Sequence, residues 1–179
     1  GRLMTAPRSK AFVLERTWLA LLRDLGVEPR AVLRRAELSE DLLTRAAPTL
    51  STPEYFRLWE ALEREVGDPA FPIRLAQTVR TEVFHPLLFA SLCSPNFAIA
   101  AQRIAHYKRL CAPMELHLEE TSRSFTIEIE WLDRTVTPPP SVAAFEVVFF
   151  VQLARMATRE RIVDDERRRF QRLAVLALA

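Results

Sequence analysis

Residues 84–131, FHPLLFASLCSPNFAIAAQRIAHYKRLCAPMELHLEETSRSFTIEIEW, carry the pattern that decides the fold. The stretch opens with an apolar segment that reads as a short helix reaching Cys93, and Ser94-Pro95 breaks it. From there Phe97, Ala100, Ile104, Tyr107 and Cys111 step by three, four, three and four, a regular helical face. Ala112-Pro113 ends that helix and the period drops to two. Met114, Leu116 and Leu118 alternate with Glu115, His117 and Glu119; after Thr121-Ser122-Arg123, Phe125, Ile127, Ile129 and Trp131 alternate with polar residues. Two alternating runs across a short polar turn predict an antiparallel hairpin over about 114–132 with one buried face.

Working outward, the pattern is helical with hard stops, since the chain has 12 prolines and only three glycines. An apolar stripe through Phe12, Trp18, Leu19, Leu22 and Leu25 predicts a helix over 11–25, closed by Gly26. A second helix is expected from Pro29 to Ala36, and a third over Glu40–Ala47 with Ser39 as its cap. Ser51-Thr52-Pro53-Glu54 starts another, either as a capping box from Ser51 to Glu54 or with Thr52 as the cap. Gly67-Asp68-Pro69 ends it, and residues 71–80 form a short helix around Ile73, Leu75 and Ala76. On the far side of the hairpin, Thr137-Pro138-Pro139-Pro140 is a stiff connector, and Ser141 caps a helix over Val142–Arg161 that is apolar nearly all round. The expected fold is therefore α+β, a mainly helical single domain with a small antiparallel sheet. Its expected divisions are a flexible N-terminus (1–11), the domain proper (12–162) and a helical C-terminal extension (163–179).

Composition narrows the functional classes. A formal net charge of +2 over 179 residues lacks the electrostatic footprint of a dedicated nucleic-acid binder. Two cysteines, Cys93 and Cys111, are too few for a disulfide framework and read as small buried hydrophobes of a cytoplasmic protein. No apolar run is long enough to span a bilayer, because Glu146 interrupts the run Val142–Leu153. His85, His106 and His117 have no metal-ligand spacing with each other or with the cysteines, so no metal and no cofactor is expected. The adjacent pairs Glu119-Glu120 and Asp164-Asp165 diverge, and no nucleophile or phosphate-binding motif occurs, so no enzyme is expected. The helix pair at 12–36, with Arg30, Arg34 and Arg35, imitates a helix-turn-helix but lacks base-reading Asn or Gln on its second helix. The arginines at 167–169 and Arg172 are offset by Asp164, Asp165 and Glu166 and read as a solvated face.

Leu21-Leu22 leading into Leu25-Gly26-Val27, then Gly67-Asp68-Pro69 before Ile73-Arg74-Leu75, then Ser94-Pro95 opening the Ala100–Leu110 helix, form an ordered set of landmarks. Over residues 12–162 this set resembles the N-terminal arabinose-binding-domain family of AraC-type transcription regulators. The resemblance implies a domain that senses a small molecule, dimerises, and controls a helix-turn-helix DNA-binding module. That module is absent from this chain, which turns to Asp164–Ala179 instead, so DNA contact is expected only through it. The segment Leu87-Leu88-Phe89 lacks a glycine common in the family at that point.

An effector is expected between the helix bearing Ile104 and Tyr107 and the sheet, with His85, Phe89, Tyr107, His117 and Trp131 as contacts; its identity is open, and any one of the aromatics there reads more readily as core than as pocket. Phe170, Leu173 and Leu176 fall at helical spacing in the terminal segment and are the expected homodimer contact. The alternatives are a stand-alone DNA-binding regulator using the helix pair, or a structural protein-interaction module.

Overall fold

In a computed structural model, which describes residues 8–78, 93–159 and 172–177, the chain begins held against the body of the domain. Residues 8–11, expected to be flexible, are tied down: the Ser9 N–H donates to the Arg109 carbonyl at 2.8 Å, and Arg8 pairs with Glu115 at 3.1 Å. A short strand β1 (Phe12–Val13) follows where the stripe suggested helix, and it pairs antiparallel with β2 (Thr49–Leu50), Phe12 opposite Leu50. The stripe marks burial correctly at Phe12, whose ring stacks on Tyr55 with centroids 3.9 Å apart, but the backbone there is extended. Helix α1 (Thr17–Asp24) starts later than the apolar pattern does. Gly26, at φ 72°, supplies the left-handed residue that ends α1, with the Val27 N–H donating to the Leu22 carbonyl.

Helix α2 (Pro29–Arg35) follows, with proline in its first turn. The helix expected over 40–47 is only a 3-10 turn, Glu40–Leu43, capped by Ser39 as anticipated. Four residues bury one large side chain, Leu42, and the chain then leaves for β2. Helix α3 (Thr52–Val66) resolves its open start in favour of Ser51, whose hydroxyl accepts from the Glu54 N–H at 3.3 Å. Gly67 at φ 64° closes it. Ser51→Ala should therefore lower stability by about 1 kcal/mol in urea denaturation, and a loss below a few tenths would show that water replaces the cap.

Helix α4 (Phe71–Thr78) buries Phe71, Leu75 and Ala76, while Ile73, grouped with them above, is 43% exposed. Helix α5 (Phe97–Cys111) is capped by Asn96, whose side-chain oxygen accepts from the Ile99 N–H at 2.9 Å. It packs across β3 (Met114–Glu120) and β4 (Ser124–Trp131), which form the predicted hairpin with Met114 opposite Trp131 and Leu116 opposite Ile129. Phe125, Ile127, Ile129 and Trp131 are buried in strict alternation. Helix α6 (Pro140–Arg159) crosses behind α4 and buries Val142, Phe149, Phe150 and Leu153.

Over residues 172–177 the helical reading of the C-terminal extension (163–179) is overturned, and the rest of it lies outside the described residues. Residues 172–177 form strand β5, parallel to β4, with Phe125 opposite Leu173 and Ile129 opposite Ala177. A short continuous apolar run fits a strand as readily as a helix, and pairing satisfies the edge of β4 that the hairpin leaves open. The result is an α+β domain with a three-stranded sheet ordered β3-β4-β5 and a two-stranded ribbon. Cys93, read as buried, is exposed.

Candidate functional site

A cavity of about 240 Å³ lies where β1, α1, α3, the last turns of α5, and α6 meet. The β1–α1 segment contributes Phe12, Trp18 and Leu22 to its wall, and α3 contributes Tyr55, Leu58, Trp59 and Leu62, which share one helical face. Tyr107, Lys108 and Cys111 come from α5; Phe145, Glu146 and Phe149 come from α6. Most of the wall is aliphatic or aromatic, with a few converging polar groups, the usual composition of a small-molecule site.

The polar groups are arranged in two places. Inside, the Lys108 ammonium donates to both oxygens of Glu146, at 2.8 and 2.9 Å, and lies 5.3 Å from the centre of the Phe149 ring. Those two side chains are only 14% and 4% exposed, so the pair has given up most of its water. Such a pair contributes little net stability, because desolvation offsets the attraction. At the rim, where Glu15 and Thr17 are exposed, the Tyr107 hydroxyl donates to Glu15 Oε1 at 3.2 Å.

Burial, and then the negative charge of Glu146, push the Tyr55 hydroxyl well above its ordinary pKa. Burial, followed by neighbouring Cys111 and Glu15, raises Tyr107 in the same way. Burial also raises the Cys111 thiol, which keeps it protonated and a poor nucleophile. Near neutral pH the site therefore presents two phenols, a thiol and a charge-compensated ion pair, groups suited to holding a ligand.

Among the described residues, Tyr107, His117 and Trp131 of the expected contacts do not converge. Tyr107 lines the cavity. Trp131 instead sits in the core, edge-on to Phe56 at 5.5 Å and tilted against Phe12 at 6.3 Å. His117 is on the outer face of β3, with Nε2 2.7 Å from Glu130 Oε2. His85 and Phe89 lie outside the described residues, as does Phe170. Leu173 and Leu176 belong to β5, where the three-residue spacing that groups them on a helix no longer does so. In the helix–sheet layer expected to hold the ligand, Ile104, Ile127 and Ile129 are fully buried.

Sequence reasoning missed Glu15, Trp18, Tyr55, Trp59, Lys108 and Glu146. Two signals pointed to the last pair. Glu146 is a charge inside a helix otherwise apolar all round, and Lys108 is one of only two lysines among 25 basic residues.

Other clusters are explained by their own pairings. Glu115, His117 and Glu130 bring ligand atoms within 4.8 Å of one another, but Arg8 and Arg109 engage Glu115 while His117 and Arg134 engage Glu130. The hydrogen bonds from His117 and then Arg134 hold the Glu130 carboxyl below its usual range. On the helix pair that imitated a DNA reader, Arg30 pairs with Glu40 at 3.8 Å and Arg35 with Glu65. No helix among the described residues is long and apolar enough to cross a membrane.

An α+β domain enclosing an apolar cavity with a few polar handles belongs to the class of ligand-binding modules. The chain is a member of the family described as the arabinose-binding domain of AraC transcription regulators, N-terminal, whose model matches residues 26–166. That family is a ligand-binding regulatory domain of transcription regulators. Comparison with curated proteins finds no match.

Proposed function

We propose that this domain senses a small, mostly apolar effector in the cavity between α1, α3, α5 and α6, and so controls a helix-turn-helix module in a homodimeric cytoplasmic regulator. The observation that carries the reading is the desolvated Lys108–Glu146 pair on an otherwise apolar cavity wall. A core optimised for stability has little use for such a pair, whereas a binding site can keep it as a fixed polar boundary behind an apolar ligand. Family membership supports the regulatory part. The dimer suits it because two sensors can hold two DNA readers over paired half-sites, and sedimentation of the chain at micromolar concentration tests it: a monomer there argues against self-association through this domain. The family's name does not select a sugar, and the lining argues for a more apolar ligand.

A thermal-shift screen of small metabolites tests the effector reading. A ligand present at a hundred times its Kd stabilises by about 2.7 kcal/mol, which raises Tm by roughly 5–10 °C in a domain of this size. Thr17→Trp, which places a bulky ring at the exposed rim, should abolish that shift while leaving the unliganded Tm nearly unchanged. Hits whose shift survives Thr17→Trp bind elsewhere and count against the cavity.

A further inference from the structure

The charge of the cavity restricts what it can hold. Its lining includes one basic side chain, Lys108, and two acidic ones, Glu15 and Glu146, an excess of one acid. The one lysine is already engaged: both Glu146 oxygens accept hydrogen bonds from the Lys108 ammonium, which also lies over the Phe149 ring. Glu15 at the rim accepts from the Tyr107 hydroxyl, and no Lys or Arg among the described residues forms an ion pair with it.

The remaining wall adds to the same sign. Trp18, Tyr55, Trp59 and Phe145 present aromatic rings, whose faces attract cations and repel anions. A carboxylate ligand would meet two carboxylates, several ring faces and a lysine that must first break its pair with Glu146. An ammonium meets an exposed carboxylate that no cation among the described residues pairs with. The volume of about 240 Å³ is below the range typical of drug-sized ligands, which limits the apolar body to one or two fused rings with a short arm.

Building on the effector reading above, we propose that the ligand class is a small hydrophobic amine, with its ring system against Trp18, Tyr55 and Trp59 and its ammonium at Glu15 beside the Tyr107 hydroxyl. The raised Tyr107 hydroxyl agrees with this, because the phenol stays neutral and keeps donating to Glu15, holding the carboxylate in place. Glu15 thus selects the ligand by charge, and the interior pair stays closed behind the ring.

Calorimetric titration of the full chain at pH 7 with three probes sharing one indole body tests the class: tryptamine, neutral tryptophol and indole-3-propionate. Tryptamine should bind about tenfold tighter than tryptophol, from one carboxylate contact and the surrounding rings, and indole-3-propionate should bind weakest. Glu15→Gln should remove most of the margin of tryptamine over tryptophol. Glu15 is exposed, so this variant keeps the fold, and its amide oxygen can still accept from Tyr107. Tightest binding of indole-3-propionate, or a tryptamine margin that survives Glu15→Gln, overturns the amine class while leaving an effector cavity in place. No binding of any of the three overturns it as well, and the effector reading then stands or falls separately by the metabolite screen with Thr17→Trp.

Discussion

Lys108→Met should lower the stability of the domain by about 3–5 kcal/mol in urea denaturation at pH 7, because it leaves Glu146 buried without its counter-charge. Both Glu146 oxygens lose their donor at once, in a place where water reaches only 4% of the side chain. Replacing both partners should behave differently. Lys108→Met combined with Glu146→Leu removes the charge and its desolvation together, and should recover most of the loss or exceed the parent stability. The double-mutant cycle then isolates the pair. A single variant that costs less than about 1 kcal/mol would mean the pair is solvated in solution, and the cavity would lose the feature that marks it as a site. A double variant as unstable as the single one would mean that packing around α5 and α6, rather than charge, sets the cost.

The second large effect separates core from cavity. Trp131 was a plausible ligand contact by sequence, and in the fold it packs against Phe12 and Phe56 at 5% exposure. Trp131→Ala should cost about 3–5 kcal/mol, the range for emptying a large aromatic site in a close-packed interior. Its indole nitrogen has no hydrogen-bond partner among the described residues, so no lost bond adds to that cost. Below its unfolding transition, the folded variant should bind a cavity ligand with unchanged affinity. Weakened binding with little loss of stability would put Trp131 back into the ligand site.

The contrast between Trp131 and Trp59 shows what a sequence exposes and what it conceals. The hairpin was legible to within a residue at each end, because alternation is a local signal and each strand buries one face. The start of α3 was legible for a similar reason: Ser51 and Glu54 meet within one turn. Helix α5 was read correctly along its face and Ser94-Pro95 marked the break before it, but its cap was not read: Asn96 accepts from the Ile99 N–H.

Non-local choices were hidden. Phe12–Val13 is a strand because of Thr49–Leu50, more than thirty residues away, and residues 172–177 are a strand because β4 offers an open edge. The cavity is non-local in the same sense. Its wall combines β1, α1, α3, α5 and α6, and no single periodicity reports the space left between them. Aromatic faces on the long helix and the sheet suggested a pocket there, but in that layer Ile104, Ile127 and Ile129 are fully buried. Two local clues remained: Glu146, a buried acid where the helical pattern asked for an apolar residue, and Lys108, one of only two lysines.

The three tryptophans provide the most direct test of the central claim that an effector occupies this cavity. Trp18 and Trp59 line it, whereas Trp131 lies in the core away from its wall. In ¹⁵N-labelled protein each indole N–H gives a separate resonance, so one titration with a ligand that raises Tm reads all three positions at once. The account predicts that the Trp18 and Trp59 signals move and saturate together while Trp131 stays within its linewidth. A shift confined to Trp131, or three unmoved indoles at saturating ligand, would contradict it.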